Sequence, residues 1–289
     1  MKRLIALAAT LAALTTACAE TGAQPLGPAP GGSQSPSSTG SPTTSPSTSP
    51  DPTRSMTYEL WFNYDGSLFV THRTEPFTPG VGRRAIEALL NGPTAAERAA
   101  KVGTSINPGT RLLDLTIDDG VAMVDLDDTF SAEETPAMAV GSLSQIVYTL
   151  TQFDSVQGVV FEVEGEPLTN FGGYELDGAQ RRTNFADQLP FILVESPGIG
   201  ERVSSPVTIA GTSDVFEAVV SIEISDQNGD TIASTFTMAT CGTGCRGSYT
   251  TDVRYDVGTR QPGTIRVYEV SAMDGSPIHI VEIPVVLTP

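Results

Sequence analysis

The sequence predicts an α+β fold, a mixed α/β domain over residues 55–172, followed by an all-β immunoglobulin-like sandwich over residues 190–289. Three observations carry this. Between 55 and 172, alternating apolar residues trade places with apolar residues at helical spacing. From Pro190 the helical period disappears and short alternating runs recur between turn signals. Residues 173–189, polar and broken by Gly173, Asp177-Gly178 and Arg181-Arg182, read as a linker between the two.

In the first unit, Tyr58, Leu60 and Phe62 alternate with Glu59, Trp61 and Asn63. The pattern resumes from Leu68 to Arg73 after Asp65-Gly66, the signal of a tight hairpin. Pro79 to Leu90 spaces Val81, Ala85, Ile86, Leu89 and Leu90 as a helix, stopped by Asn91-Gly92-Pro93. Arg111–Ile117 and Val121–Leu126 flank Asp118-Asp119-Gly120 as a second hairpin. Met138, Leu143, Ile146, Val147 and Leu150 mark another helix, and Val159–Val163 a closing strand. In the second unit seven strands are expected, at Phe191–Glu195, Val207–Gly211, Glu217–Ser225, Asp230–Met238, Gly247–Tyr255, Thr264–Ala272 and Ile278–Leu287. Seven short strands in about a hundred residues is the pattern of an immunoglobulin-like sandwich.

The chain has 289 residues, with 16 Lys plus Arg against 34 Asp plus Glu, a formal charge of −18. That balance excludes nucleic acid and an anionic membrane face as partners, because both require clustered cations. Only two Lys and two His occur, so Schiff-base chemistry and His-rich metal sites are poorly supplied. Met1-Lys2-Arg3, the apolar run Leu4–Leu14 and small residues leading to Cys18 make residues 1–18 a leader. It resembles a bacterial lipoprotein signal, with Cys18 as the lipidated residue, although Thr15 stands where such signals usually carry Leu. An ordinary secretory signal cleaved near Ala17 or Ala19 is the alternative; both readings export the protein. Loss of Lys2 and Arg3 would take the charge from −18 to −20. Residues 19–54, rich in Ser, Thr, Pro and Gly, are expected to be a disordered tether, having no apolar surface to offset the entropy of ordering.

Ala88-Leu89-Leu90-Asn91-Gly92-Pro93, Thr104-Ser105-Ile106-Asn107-Pro108-Gly109-Thr110 and Gly120-Val121-Ala122-Met123-Val124-Asp125-Leu126 resemble the GerMN domain of sporulation and spore germination proteins. Gln145 to Phe153 and Val156 to Val159 continue the likeness in the same order. Ser196-Pro197, Val203 to Val207, Ile209 to Thr212, Val215 to Ala218, Asp226, Asn228-Gly229, Glu269-Val270-Ser271 and Asp274-Gly275 resemble the immunoglobulin-like domain of bacterial spore germination. The two resemblances imply an envelope lipoprotein associated with germination or cell-wall processes, and they bring no catalytic residues.

Cys241-Gly242-Thr243-Gly244-Cys245 is expected to form a structural disulfide closing a small loop in an exported protein. The acids Asp118, Asp119, Asp125, Asp127 and Asp128 do not have calcium-loop spacing, and a turn explains Asp118-Asp119-Gly120. Neither metal nor cofactor is expected. Nucleophilic serine chemistry lacks its elbow motif, and His72 and His279 fall in different domains. Trp61 and Phe216 are the candidate contact residues: Trp61 because it lies on the opposite parity from Tyr58, Leu60 and Phe62, Phe216 because it falls between strands. The preferred reading places both in the core, Trp61 packed under the helices and Phe216 as a plug. The expected function is a non-enzymatic, lipid-anchored protein on the extracytoplasmic face of the membrane, held through Cys18. It would present two domains to an envelope protein or to peptidoglycan or another wall polymer. The alternative is an enzyme acting on wall glycan or peptide, with the sandwich as its binding module.

Overall fold

The computed structural model describes residues 54–132 and 135–289; Cys18, the leader and the tether up to residue 53 lie outside them. Strands β1 (Ser55–Tyr64) and β2 (Ser67–Pro76) form the first hairpin, Tyr64 opposite Ser67. Asp65 (φ 48°) and Gly66 (φ 80°) both take left-handed backbone, the requirement of the turn that matches strand twist. Helix α1 (Val81–Leu90) buries Ala85, Ile86 and Leu89, and the short α2 (Ala95–Ala99) starts at a capping box between Thr94 and Glu97. Strands β3 (Leu112–Asp118) and β4 (Val121–Leu126) turn at Asp119-Gly120 by the same left-handed device. Helix α3 (Pro136–Leu150) crosses from β4 to β5 (Gly158–Val163), which pairs parallel with β4. With the two-residue β6 (Glu166–Pro167) the sheet order is β3-β4-β5-β6.

The backbone of β1 is met by α3 on one edge. Gln145, Thr149 and Gln152 are spaced to share one face of the helix. The Gln145 amide donates to the Trp61 carbonyl (3.2 Å), and the Trp61 amide donates to Thr149 Oγ1 (3.1 Å). Gln152 and the Glu59 backbone exchange a reciprocal pair at 2.7 and 2.8 Å. Asn63 completes the edge by pairing with Gly103. The free groups of a buried strand edge must be satisfied, and here helix side chains do so.

Residues 173–189 differ from the expected linker. Strand β7 (Asn170–Phe171) pairs with β8 (Tyr174–Glu175), Gln180 bridges Val159, and a 3-10 segment (Arg182–Gln188) buries Phe185. Its polar composition hides this because one aromatic and backbone hydrogen bonds do the anchoring.

The second region is a sandwich. One sheet runs β10 (Arg202–Ser204), β16 (Pro277–Thr288), β15 (Gln261–Val270), β12 (Val219–Ser225) and β13 (Thr231–Met238). The other runs β14 (Gly247–Val253), β11 (Val207–Ser213) and β9 (Ile192–Ser196). The seven expected strands are present with shifted ends, and β10, three residues long, was too short to show a period. Inward residues Val220, Ile222, Ile224, Ile265, Val267 and Ile283 alternate with outward ones to form the core. The fold is a mixed α/β domain followed by an immunoglobulin-like β domain, and the described residues lie in one compact unit.

Candidate binding cleft

The chemistry-bearing cluster lies where β15 and β16 run toward their shared turn. A register shift between Val267 and Glu269 brings Glu269 opposite Ile278, and His279 then takes φ 51°. Left-handed backbone on a residue with a Cβ costs on the order of 1–2 kcal/mol, so surrounding contacts must hold it. They do: Nδ1 of His279 lies 2.8 Å from Oε2 of Glu269, and its ring stacks on Phe191 with centroids 4.1 Å apart and planes 19° apart. Glu269 is only 6% exposed, and its Oε1 accepts the Phe216 amide at 2.9 Å. One carboxylate therefore ties β15, β16 and the Phe216 turn together.

The disulfide loop fixes the same turn. Cys241 and Cys245 are bonded, with Cα atoms 5.6 Å apart. The Thr243 amide donates to the Val215 carbonyl (3.0 Å), and the Glu217 amide to Thr243 Oγ1 (3.2 Å). Gly244 and Cys245 amides both donate to Asp214 Oδ1, at 2.7 and 3.2 Å. Phe216 is left half exposed at the surface rather than filling the core as a plug between strands.

The stacked Phe191–His279 pair separates two depressions. The larger, about 500 Å³, includes Tyr64, Asp65, Asp187, Leu189 and Ile280 in its walls. The smaller, about 300 Å³, includes Asp214, Phe216, Thr243 and Glu269. Among the described residues neither is lined by Lys or Arg, while each has two carboxylates and aromatic surface. Such walls suit a cation carried on an apolar body and repel an anion. The ring's hydrogen bond goes to Glu269 and, among the described residues, to no hydroxyl. That is not a nucleophile–base pair.

Of the two readings of Trp61, the structure bears out the core and overturns the exposed contact: it is 3% exposed. Alternation leaves it on the second face of β1, but Tyr148 of α3 packs there at 4.8 Å and the Arg182 guanidinium sits 5.3 Å from its ring. Its Nε1 donates to Glu59 Oε2 at 3.0 Å. Asp127, read in sequence as part of an acidic cluster, is buried, and its carboxylate takes the Arg111 amide (3.0 Å) and guanidinium (2.9 Å). Among the described residues no group of His, Cys, Asp and Glu is arranged to hold a metal. The sequence did not single out Phe191 or Glu269, and it counted His279 as isolated. Their only local signal is the Glu269-Val270-Ser271 … Asp274-Gly275 turn that folds β16 back on β15.

The fold is an α/β domain followed by an immunoglobulin-like sandwich, and the cleft joins aromatic and acidic side chains of the second region to Tyr64, Asp65 and Asp187. Residues 61–169 match the family described as "Sporulation and spore germination", and residues 191–276 match the "Immunoglobulin-like domain of bacterial spore germination". The chain carries a GerMN-like domain followed by that immunoglobulin-like domain. Among solved structures it is similar to the first GerMN domain of the sporulation protein GerM from Bacillus subtilis, at 21% identity and TM-score 0.37, over 44% of this chain and 98% of that one. The tandem GerMN domains of the same protein align at 13% identity and TM-score 0.40, over 69% of this chain and 61% of that one. No curated protein matches the chain.

Proposed function

We propose that the protein is a non-enzymatic lipoprotein, anchored through Cys18 on the extracytoplasmic face of the cell membrane, that binds an envelope partner through the Phe191–His279–Glu269 cleft. The cleft's aromatic and acidic walls, with no Lys or Arg among the described residues, carry this reading. They favour a basic, apolar segment of an envelope protein over an anionic wall polymer. No helix of the described residues is long and apolar enough to cross a membrane, so attachment in this reading rests on the leader. The diacyl unit of a lipoprotein supplies the two chains that durable anchoring needs.

Two measurements test it. Cys18→Ser should release the protein from the membrane fraction or leave an unprocessed precursor; unchanged lipid labelling and retention would refute the anchor. A short peptide of alternating lysine and phenylalanine should bind the native chain, and Phe191→Ala with Glu269→Gln should weaken it about tenfold. Equal binding by a glutamate–phenylalanine peptide would refute the cleft's preference. The enzymatic alternative needs a desolvated carboxylate beside a second one; Glu59, near the half-buried Glu195, is instead tied to Trp61 and lies 3.9 Å from Arg182.

A further inference from the structure

The open edge of β13 is unlike the other strand edge discussed above. Antiparallel partners alternate between hydrogen-bonded and non-bonded pairs. The Ala239 amide donates to the Ala218 carbonyl at 2.8 Å, which sets the phase against β12. Ala233, Thr235 and Thr237 therefore bond toward β12, while the backbone of Ser234, Phe236 and Met238 points outward. Among the described residues β13 pairs with β12 alone. Where β1 has its edge satisfied by Gln145, Thr149 and Gln152, β13 has no such cover among the described residues.

Exposed edges are ordinarily guarded by charge, proline or brevity. Residues 231–238, Thr-Ile-Ala-Ser-Thr-Phe-Thr-Met, have no charge and no proline over eight residues, and are rich in strand-favouring types. Phe236 and Met238 are 66% and 64% exposed on the outer face. Beside this edge a depression of about 360 Å³ runs between β13 and β14, lined by Ala233, Ser234, Thr235, Asp252, Val253 and Arg254. Because β14 ends its own sheet, both sheets are open on this side of the sandwich.

We propose that β13 receives an extended segment of a partner protein as an added antiparallel strand, uncharged along its middle and basic at its C-terminal end. Antiparallel addition sets that end beside Asp226 and Asp230, which form the turn before β13. A second copy is disfavoured because residues 190–289 carry twelve acidic against five basic side chains, so two copies repel. A strand-addition mode takes its affinity from main-chain hydrogen bonds and its selectivity from alternate side chains, which here would flank Phe236 and Met238. This surface is separate from the Phe191–His279 cleft, and the inference does not depend on it.

The test uses the full chain and an eight-residue peptide of alternating threonine and valine ending in two lysines, against a counterpart ending in two glutamates. Amide exchange followed by NMR should slow at least tenfold at Ser234, Phe236 and Met238 with the lysine peptide, and the glutamate peptide should bind at least about fivefold more weakly. Ser234→Pro removes an outward N–H without touching the bonds to β12, and Phe236→Lys adds a like charge; each should abolish the slowing while the cleft peptide still binds. Slowing at other residues, equal binding of both peptides, or slowing that grows with protein concentration alone would overturn the proposal. If Ser234→Pro does not fold, Phe236→Lys and the exchange map of the native chain decide it.

Discussion

At the scale of single residues, Glu97 shows how much one buried carboxylate can hold. It takes both terminal nitrogens of Arg73 at 2.7 Å and the Thr94 amide at 2.7 Å, joining β2 to the start of α2. Burial pushes its carboxyl upward, but the Arg73 guanidinium and the Thr94 hydrogen bonds outweigh it and hold it below the usual carboxylate range. A folded-state pKa below the unfolded value contributes stability above about pH 4.3, and that stability is lost as pH falls through the folded value. Glu97→Gln should therefore cost about 2–3 kcal/mol near pH 7 and much less near pH 3. Urea unfolding at the two pH values measures this; an equal loss at both would mean the charge plays no part. Gly211 is decisive for a steric reason, since a Cβ there would sit 2.0 Å from the Leu193 carbonyl oxygen, where β9 closes on β11. Glycine inside a strand signals such an approach in sequence without saying what approaches.

Among elements, the hairpins and the long helices were legible because their causes are local. Asp65-Gly66 and Asp119-Gly120 supply left-handed residues where a tight turn needs them; the apolar spacing of α1 follows one face, while α3 is buried on all sides from Gly141 to Leu150. The disulfide was legible from the spacing of Cys241 and Cys245 together with the expected export. Its consequence was not, because the loop's bonds to Val215, Asp214 and Glu217 join segments distant in sequence. Closing a five-residue loop contributes about 2 kcal/mol at most in the chain-entropy account. Cys241→Ser with Cys245→Ser should lower global stability by about that amount, and should speed amide exchange at 214–218 far more than in the sandwich core. Uniform acceleration across the core would refute this local role. What covers Trp61 and what anchors 173–189 were not legible for one reason: parity and polarity describe a strand or loop alone, whereas α3 covers the second face of β1 and gives Tyr174 and Phe185 a place to pack.

Across the whole molecule, charges from both regions converge near Glu195. Burial raises its carboxyl, and the negative charge of Glu59 adds to the effect, with Arg182 and Arg246 opposing it. Burial also pulls the Arg246 guanidinium below its ordinary value, although it donates to the Pro190 carbonyl and to Thr212 Oγ1. An acid with a raised folded-state pKa binds its proton more tightly when folded. Its contribution is complete below about pH 4.3 and is lost as pH rises through the raised value. Glu195→Gln should accordingly raise the Tm at pH 7 and leave it nearly unchanged at pH 4. A lower Tm at pH 7 would show instead that the charged form is held by Arg182 and Arg246.

Taken alone, the sequence determined the order of elements, the change from helical to strand texture at Pro190, and the resemblance of both regions to sporulation and germination domains. All of these arise from short-range backbone preference and periodic burial, which act over a few neighbouring residues. Tertiary structure alone decided that Trp61 is covered, that His279 meets Glu269 and Phe191, and that β1 has its edge satisfied while β13 does not. Each of those depends on contacts between residues 10 to 93 positions apart, as with Glu269 and His279 or Glu59 and Gln152. Side-chain pairing of that kind is set by how sheets and helices pack, and no local pattern records it.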